Sequence, residues 1–127
     1  MKIMVVDDDK TTRKILGLYL KGKGHEPVFA ENGVDAIEKL ASNEVDIIMT
    51  DLNMPYMDGI ELTKTLKNDP SFQSIPILML STENDDEEKK KAADAGINAY
   101  MVKPVSSESV DTMIKQMLLI KKQQEGK

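Results

Sequence analysis

A parallel β-sheet with helices on both faces, an α/β domain, is the fold this sequence predicts, and three observations predict it. Five short apolar runs are each closed by polar or turn residues, as buried strands are. Between them, apolar residues recur at helical spacing. The connections are short throughout, and alternation of this kind puts helices over both faces of a parallel sheet. The chain has 127 residues, which suits one domain with one core.

The elements follow in order. Residues 2–6 form a first strand, closed by Asp7-Asp8-Asp9. Thr12, Ile15, Leu16, Tyr19 and Leu20 mark a helix that Lys21-Gly22-Lys23-Gly24 ends, with late positive charge and glycine as a helix C-terminus prefers. Residues 27–30 make a short second strand. Asn32-Gly33 opens a helix whose apolar stripe is Val34, Ile37, Leu40 and Ala41. A third strand over 45–50 runs into Asp51. Asp58 suits the N-cap of a helix carrying Ile60, Leu62, Thr63 and Leu66, ending near Asn68-Asp69-Pro70. Residues 75–80 form a fourth strand, closed by Ser81-Thr82. The run 85–91 places acids before bases, complements a helix dipole and sets up Asp85/Lys89, Asp86/Lys90 and Glu87/Lys91 pairs on a solvated face. Gly96 ends that helix, and residues 98–102 form the fifth strand, closed by Lys103-Pro104. From Ser107 a last helix shows Val110, Met113, Ile114, Met117 and Leu118 on one face. The domain is expected to span 1–122, with 123–127 a frayed polar tail. Right-handed crossovers favour a flavodoxin-like five-stranded sheet of order 2-1-3-4-5.

Composition narrows the chemistry. There is no cysteine, which excludes disulfides, thiol catalysis and Cys-based zinc sites. The one histidine, His25, sits in a turn sequence, so Ser-His and Cys-His nucleophile pairs are not expected. No apolar run approaches the ~20 residues of a membrane helix. A net charge of −5 argues against non-specific binding to nucleic acid. The nine methionines lie mainly in strands and on the last helix's stripe, where they fill a core.

The residues that close the strands carry the chemistry. Asp7-Asp8-Asp9, Asp51, Ser81-Thr82 and Lys103 end strands one, three, four and five. In a parallel sheet these ends point the same way, and ligands bind in the crevice beyond them. Carboxylates brought within ~4–6 Å resist joint ionisation unless a cation sits among them. Oxygen ligands without imidazole or thiol suit a hard ion such as Mg²⁺. With a lysine and a hydroxyl beside one carboxylate, the set suits a nucleophilic Asp that accepts a phosphoryl group.

On these residues the chain resembles the receiver domains of two-component response regulators, most closely the stand-alone chemotaxis type. The motifs are Val5-Val6-Asp7-Asp8-Asp9, Asp51-Leu52-Asn53-Met54-Pro55 with Asp58-Gly59, Leu80-Ser81 and Lys103-Pro104, and the resemblance runs from Lys2 to about Leu118. It implies that Asp51 is the phosphoacceptor. Asp8 would be the direct Mg²⁺ ligand, with Asp51 and the backbone carbonyl of Asn53, and Asp7 would act indirectly through water. Ser81 would be the switch hydroxyl, Tyr100 the switch aromatic, and Lys103 the partner of a phosphoryl oxygen. The resemblance also implies a cis peptide before Pro104. Asp9 is left to cap the first helix. Val105 stands where the family commonly has Phe, and Thr82 where it has a small residue. Asn53 and Glu83 match polar positions of receivers that lose the phosphoryl group quickly.

The function expected is therefore a monomeric, cytoplasmic switch phosphorylated by a sensor histidine kinase. It would signal through its helix 4, strand 5 and helix 5 face to a motor-switch-like protein, or pass the phosphoryl group to a histidine phosphotransfer protein. It is expected not to be an enzyme on free substrates. A small Mg²⁺-dependent phosphatase is the rival, but Asn53 stands where such enzymes carry a second Asp. A flavodoxin-like cofactor carrier would need a phosphate cradle where Asp7-Asp8-Asp9 would repel one.

Overall fold

The structure is a computed structural model that describes residues 1–82 and 84–125, with the side chains of 120, 121, 124 and 125 left aside. Ten elements alternate: β1 (Lys2–Val6), α1 (Lys10–Gly22), β2 (Glu26–Ala30), α2 (Gly33–Leu40), β3 (Ile47–Asp51), α3 (Gly59–Lys67), β4 (Ile77–Ser81), α4 (Asp86–Ala95), β5 (Ala99–Val102) and α5 (Ser107–Glu125). The five strands are parallel in the order β2-β1-β3-β4-β5, the flavodoxin-like order expected from the sequence. β1, β3 and β4 are buried on both faces, which is why they read as unbroken apolar runs rather than alternating ones.

Two apolar layers cover the sheet. Ile3, Val5, Ile47, Met49, Leu78 and Leu80 pack against Leu16 and Leu20 of α1 and Val110, Ile114 and Met117 of α5. Met4, Val6, Ile48 and Ile77 face Ala36 and Leu40 of α2 and Leu62 and Leu66 of α3. Met4, Met49, Met79 and Met117 are fully buried, the core role read for the methionines.

Capping fixes where the helices start. Asp9 accepts from the Thr12 backbone N–H, Asn32 from Asp35, Asp58 from Glu61 and Asp85 from Glu87. Gly96, with φ of 113°, closes α4 in the left-handed region that glycine occupies without strain.

The structure departs from the sequence reading in several places. The α2 stripe is Gly33, Ala36 and Leu40 with Ile37 partly buried, whereas Val34 and Ala41 are exposed. The Asn32 cap fixes where the helix starts, and Gly33 packs against Met57, where a methyl group would lie 2.6 Å from Cγ. Ile15 of α1 is likewise 43% exposed. On α4 only part of the ladder forms as expected: Lys91 reaches Glu87 at 3.9 Å and Glu88 at 3.5 Å. Asp85 is engaged as the cap, and Lys89 donates to Asn84 Oδ1 at 2.6 Å and lies 5.8 Å from the centre of the Tyr100 ring. α5 stays helical to Glu125, through most of the stretch read as frayed; Gly126 and Lys127 lie outside the described residues.

Gly59 is where the fold meets the site. Its N–H donates to Leu52 O at 2.9 Å, holding the start of α3 against the end of β3. A methyl group there would overlap the Asp51 carbonyl oxygen. Because the obstacle is backbone, relief requires moving the strand end. Gly59→Ala is expected to lower stability by about 1–3 kcal/mol, measured by urea unfolding. An unchanged midpoint would show that the α3 entry yields without moving Asp51.

Candidate functional site

Strand register brings the strand-closing residues together. β1 pairs Val6 with Thr50 of β3, so the next residues, Asp7 and Asp51, stand side by side. β3 pairs Asp51 with Leu80, and Ser81 follows one residue later. β4 pairs Ser81 with Val102, and Lys103 is next. Four strands thus deliver two carboxylates, a hydroxyl and an ammonium group to one rim of the sheet.

The side chains meet there. Carboxylate oxygens of Asp7, Asp8 and Asp51 all lie within 4.8 Å of one another. Lys103 Nζ donates to Asp7 Oδ2 at 3.0 Å and lies 3.2 Å from Asp51 Oδ1. Asp7 is 2% exposed, whereas Asp8 faces solvent. The other Asp7 oxygen, Oδ1, accepts from the Asp9 N–H at 2.9 Å, and its carbonyl accepts from Arg13 Nη1 at 2.6 Å. Asp51 Oδ1 also accepts from the Leu52 N–H at 2.9 Å. Ser81 is fully buried, and its carbonyl accepts from the Lys103 N–H at 2.7 Å, which ties the lysine's backbone to the end of β4. The Lys103-Pro104 peptide is cis, as the resemblance implied.

Tyr100 packs beside Leu52, Met79 and Ala92, on the same sheet face as Ser81 by the β4/β5 register. Thr82 is exposed and, with Lys103 and Val105, lines a cavity of about 470 Å³ against α1. Asn53 is exposed on the loop leaving β3. Glu83 lies outside the described residues.

Two contributors were not legible in the sequence. Arg13 looks like one more cation on an amphipathic helix, and only the fold shows it holding the Asp7 carbonyl. Gly59 stands in the sequence only as half of the Asp58-Gly59 motif, and the fold shows its service, which is to leave room for the Asp51 backbone.

The family is decided by comparison with known proteins. The response regulator receiver domain model matches residues 3–115. The chain belongs to that family. This receiver is 41% identical over 120 residues to the chemotaxis protein CheY1 of Helicobacter pylori, covering 93% of this chain and 97% of the relative. It is 39% identical to the CheY homolog of Campylobacter jejuni, covering 93% and 92%. Among solved structures, CheY4 of Vibrio cholerae matches with a TM-score of 0.86 at 31% identity over 91% of this chain and 96% of that one. A two-component response regulator of Clostridium difficile matches with a TM-score of 0.87 at 30% identity over 93% and 95%.

The receiver's electrostatics follow from burial and like charge. Burial pushes the Asp51 carboxyl above its ordinary range; Lys103 pulls it down, Asp7 pushes it further up, and hydrogen bonds from Lys103 and Leu52 oppose the rise. For Lys103, burial acts to lower the pKa, but the Asp7 hydrogen bond and the charges of Asp51 and Asp7 outweigh it, so the ammonium is held more firmly than usual. A raised carboxylate pKa means that the folded state holds the proton more tightly than the unfolded chain does. Asp51 therefore favours the fold most below its unfolded pKa, and that contribution is lost as pH rises through the folded pKa. At neutral pH the ionised side chain works against the fold. Without divalent ions, Asp51→Asn is expected to raise unfolding free energy at pH 7 by about 0.5–2 kcal/mol, the gain shrinking as pH falls through the raised folded pKa and vanishing below the ordinary carboxylate range. Urea titrations across that range check it; a gain that does not change with pH would exclude Asp51 ionisation as its source.

Proposed function

We propose that this receiver is a phosphorylation-operated switch that takes a phosphoryl group onto Asp51 from a phosphohistidine of a sensor kinase. The observation that carries this reading is the Lys103 ammonium held between the Asp7 and Asp51 carboxylates at the open rim of the sheet. The oxygen-only set of Asp7, Asp8 and Asp51 fits a hard divalent ion, and Asp8, on the solvent side, gives it an entry path. Asp8 and Asp51 would hold Mg²⁺ directly, with the Asn53 carbonyl, and Asp7 through water. When bound, Mg²⁺ would neutralise the carboxylates and the charge developing on the phosphoryl oxygens.

The chain's own residues supply the rest. An Asp51 oxygen attacks phosphorus, an O–P bond forms, the N–P bond to the donor imidazole breaks, and that nitrogen keeps the electron pair. Asp51 is aimed by its Leu52 hydrogen bond and by the end of β3. Lys103, already 3.2 Å from Asp51, exchanges that carboxylate contact for a phosphoryl oxygen while its second contact, to Asp7, keeps it in place. The new charge draws Ser81 towards it. Tyr100, on the same face, follows into the space released, and the surface formed by α4, β5 and α5 repacks. Lys89, lying near the Tyr100 ring, would lose that contact as the ring turns.

The likeness to CheY proteins supports a chemotaxis-type role, and in this reading the receiver works in the cytoplasm as a monomer with a motor-switch-like protein as its target. A relay role, handing the group to a histidine phosphotransfer protein, is the alternative that Val105 on the signalling face leaves open. Neither role makes the chain an enzyme on free substrates. Among the described residues no helix is long and apolar enough to cross a membrane. Asn53 and Glu83 favour a short-lived phosphoaspartate.

Incubation with acetyl phosphate and Mg²⁺ tests the reading. Labelling is expected on Asp51, lost in Asp51→Asn and on chelation with EDTA, and retained in Ser81→Ala, whose surface should no longer respond. A label that survives Asp51→Asn on another residue would overturn the assignment. The half-life of the isolated phosphoprotein in Mg²⁺ is expected to be far below many hours.

A further inference from the structure

Between α1 and Phe29 of β2 lies a groove of about 470 Å³. Its floor is Gly17, Leu18 and the Phe29 ring, and Lys10, Arg13, Lys14 and Lys21 border it. Leu18 is 60% exposed. The floor exists because Gly17 carries no side chain: a methyl group there would sit 2.5 Å from the Phe29 ring. α1 bears four cationic side chains and no acidic one, so the remainder of the chain stands at −9 against a total of −5. Positive charge is concentrated along one apolar groove on an otherwise acidic molecule.

We infer that this groove is a docking surface for an acidic amphipathic helix of a protein partner. Lys10, Lys14 and Lys21 are spaced at i, i+4 and i+11, about 16 Å along the helix axis, so they can line one side of a partner helix of about three turns. The apolar floor takes one or two anchoring side chains, the helix-in-groove mode. A narrow acidic helix meets the rim alone. A broad anionic surface, such as a duplex or a bilayer, would also face the acidic remainder of the chain and be repelled. Arg13 is engaged by the Asp7 carbonyl at 2.6 Å and by Glu31 at 4.0 Å, so the three lysines are the groups left to recruit the partner.

The test uses the full ¹⁵N-labelled chain with a synthetic helical peptide bearing Glu on one face and Leu on the other. A scrambled isomer of the same composition and phosphatidylserine vesicles serve as comparisons. Amide shifts are expected in Lys10–Gly22 and Glu26–Ala30, with affinity falling as salt rises. Lys14→Glu with Lys21→Glu, and separately Leu18→Ser, should each weaken binding about tenfold or more, with thermal unfolding confirming that both variants fold. The scrambled isomer should bind several-fold more weakly. Shifts confined to other elements, an affinity unchanged by either variant, tighter binding to vesicles than to the peptide, or no binding at millimolar peptide would each overturn the inference.

Discussion

The contact on which the rest depends is the Lys103 ammonium shared between Asp7 and Asp51. Asp7 is almost wholly buried, and a buried carboxylate persists only if paired or hydrogen-bonded. Lys103 and the Asp9 N–H supply those partners, and Arg13 holds the Asp7 backbone carbonyl in place. Asp51 is left half-satisfied beside a like charge. A group in that position gains from anything that spreads or neutralises its charge, whether a cation or a covalent phosphoryl group with cations around it. The site's reactivity and its cost to the fold thus share one origin.

That contact stands on strand register. Parallel pairing places the residue after Val6 beside the residue after Thr50, and the β4/β5 pairing sets Lys103 one step beyond Ser81. A slip of one residue would turn Asp51 to the other face and separate it from Asp7. The core layers hold the register, because Val5, Met49 and Leu80 must face α1 and α5 while Val6 and Ile48 face α2 and α3. Packing far from the rim therefore determines the chemistry at it.

Much of this was legible in the sequence because buried parallel strands leave apolar runs with abrupt polar ends. The order of elements, the Asp9 and Asp58 caps and the convergence of Asp8, Asp51 and Lys103 all follow from that pattern. Errors came where two helical phases fit the same residues. Val34 and Ala41 fitted a stripe with Ile37 and Leu40, but both face solvent, and Gly33 and Ala36 are buried instead. The acidic-then-basic run of α4 suggested a simple ladder, whereas Asp85 serves as the cap and Lys89 donates to Asn84 instead.

The sequence by itself determined the fold class, the strand ends that carry chemistry and the family, since these depend on local periodicity and on residue types at fixed spacing. Only the tertiary structure decided that Arg13 secures Asp7, that Gly59 makes room for the Asp51 carbonyl, and that the cations of α1 border an apolar floor completed by Phe29. Each of these is a contact between residues distant in the chain or a matter of steric clearance. Such relations exist only once helices and strands have been set at particular distances, and no spacing along the chain encodes them.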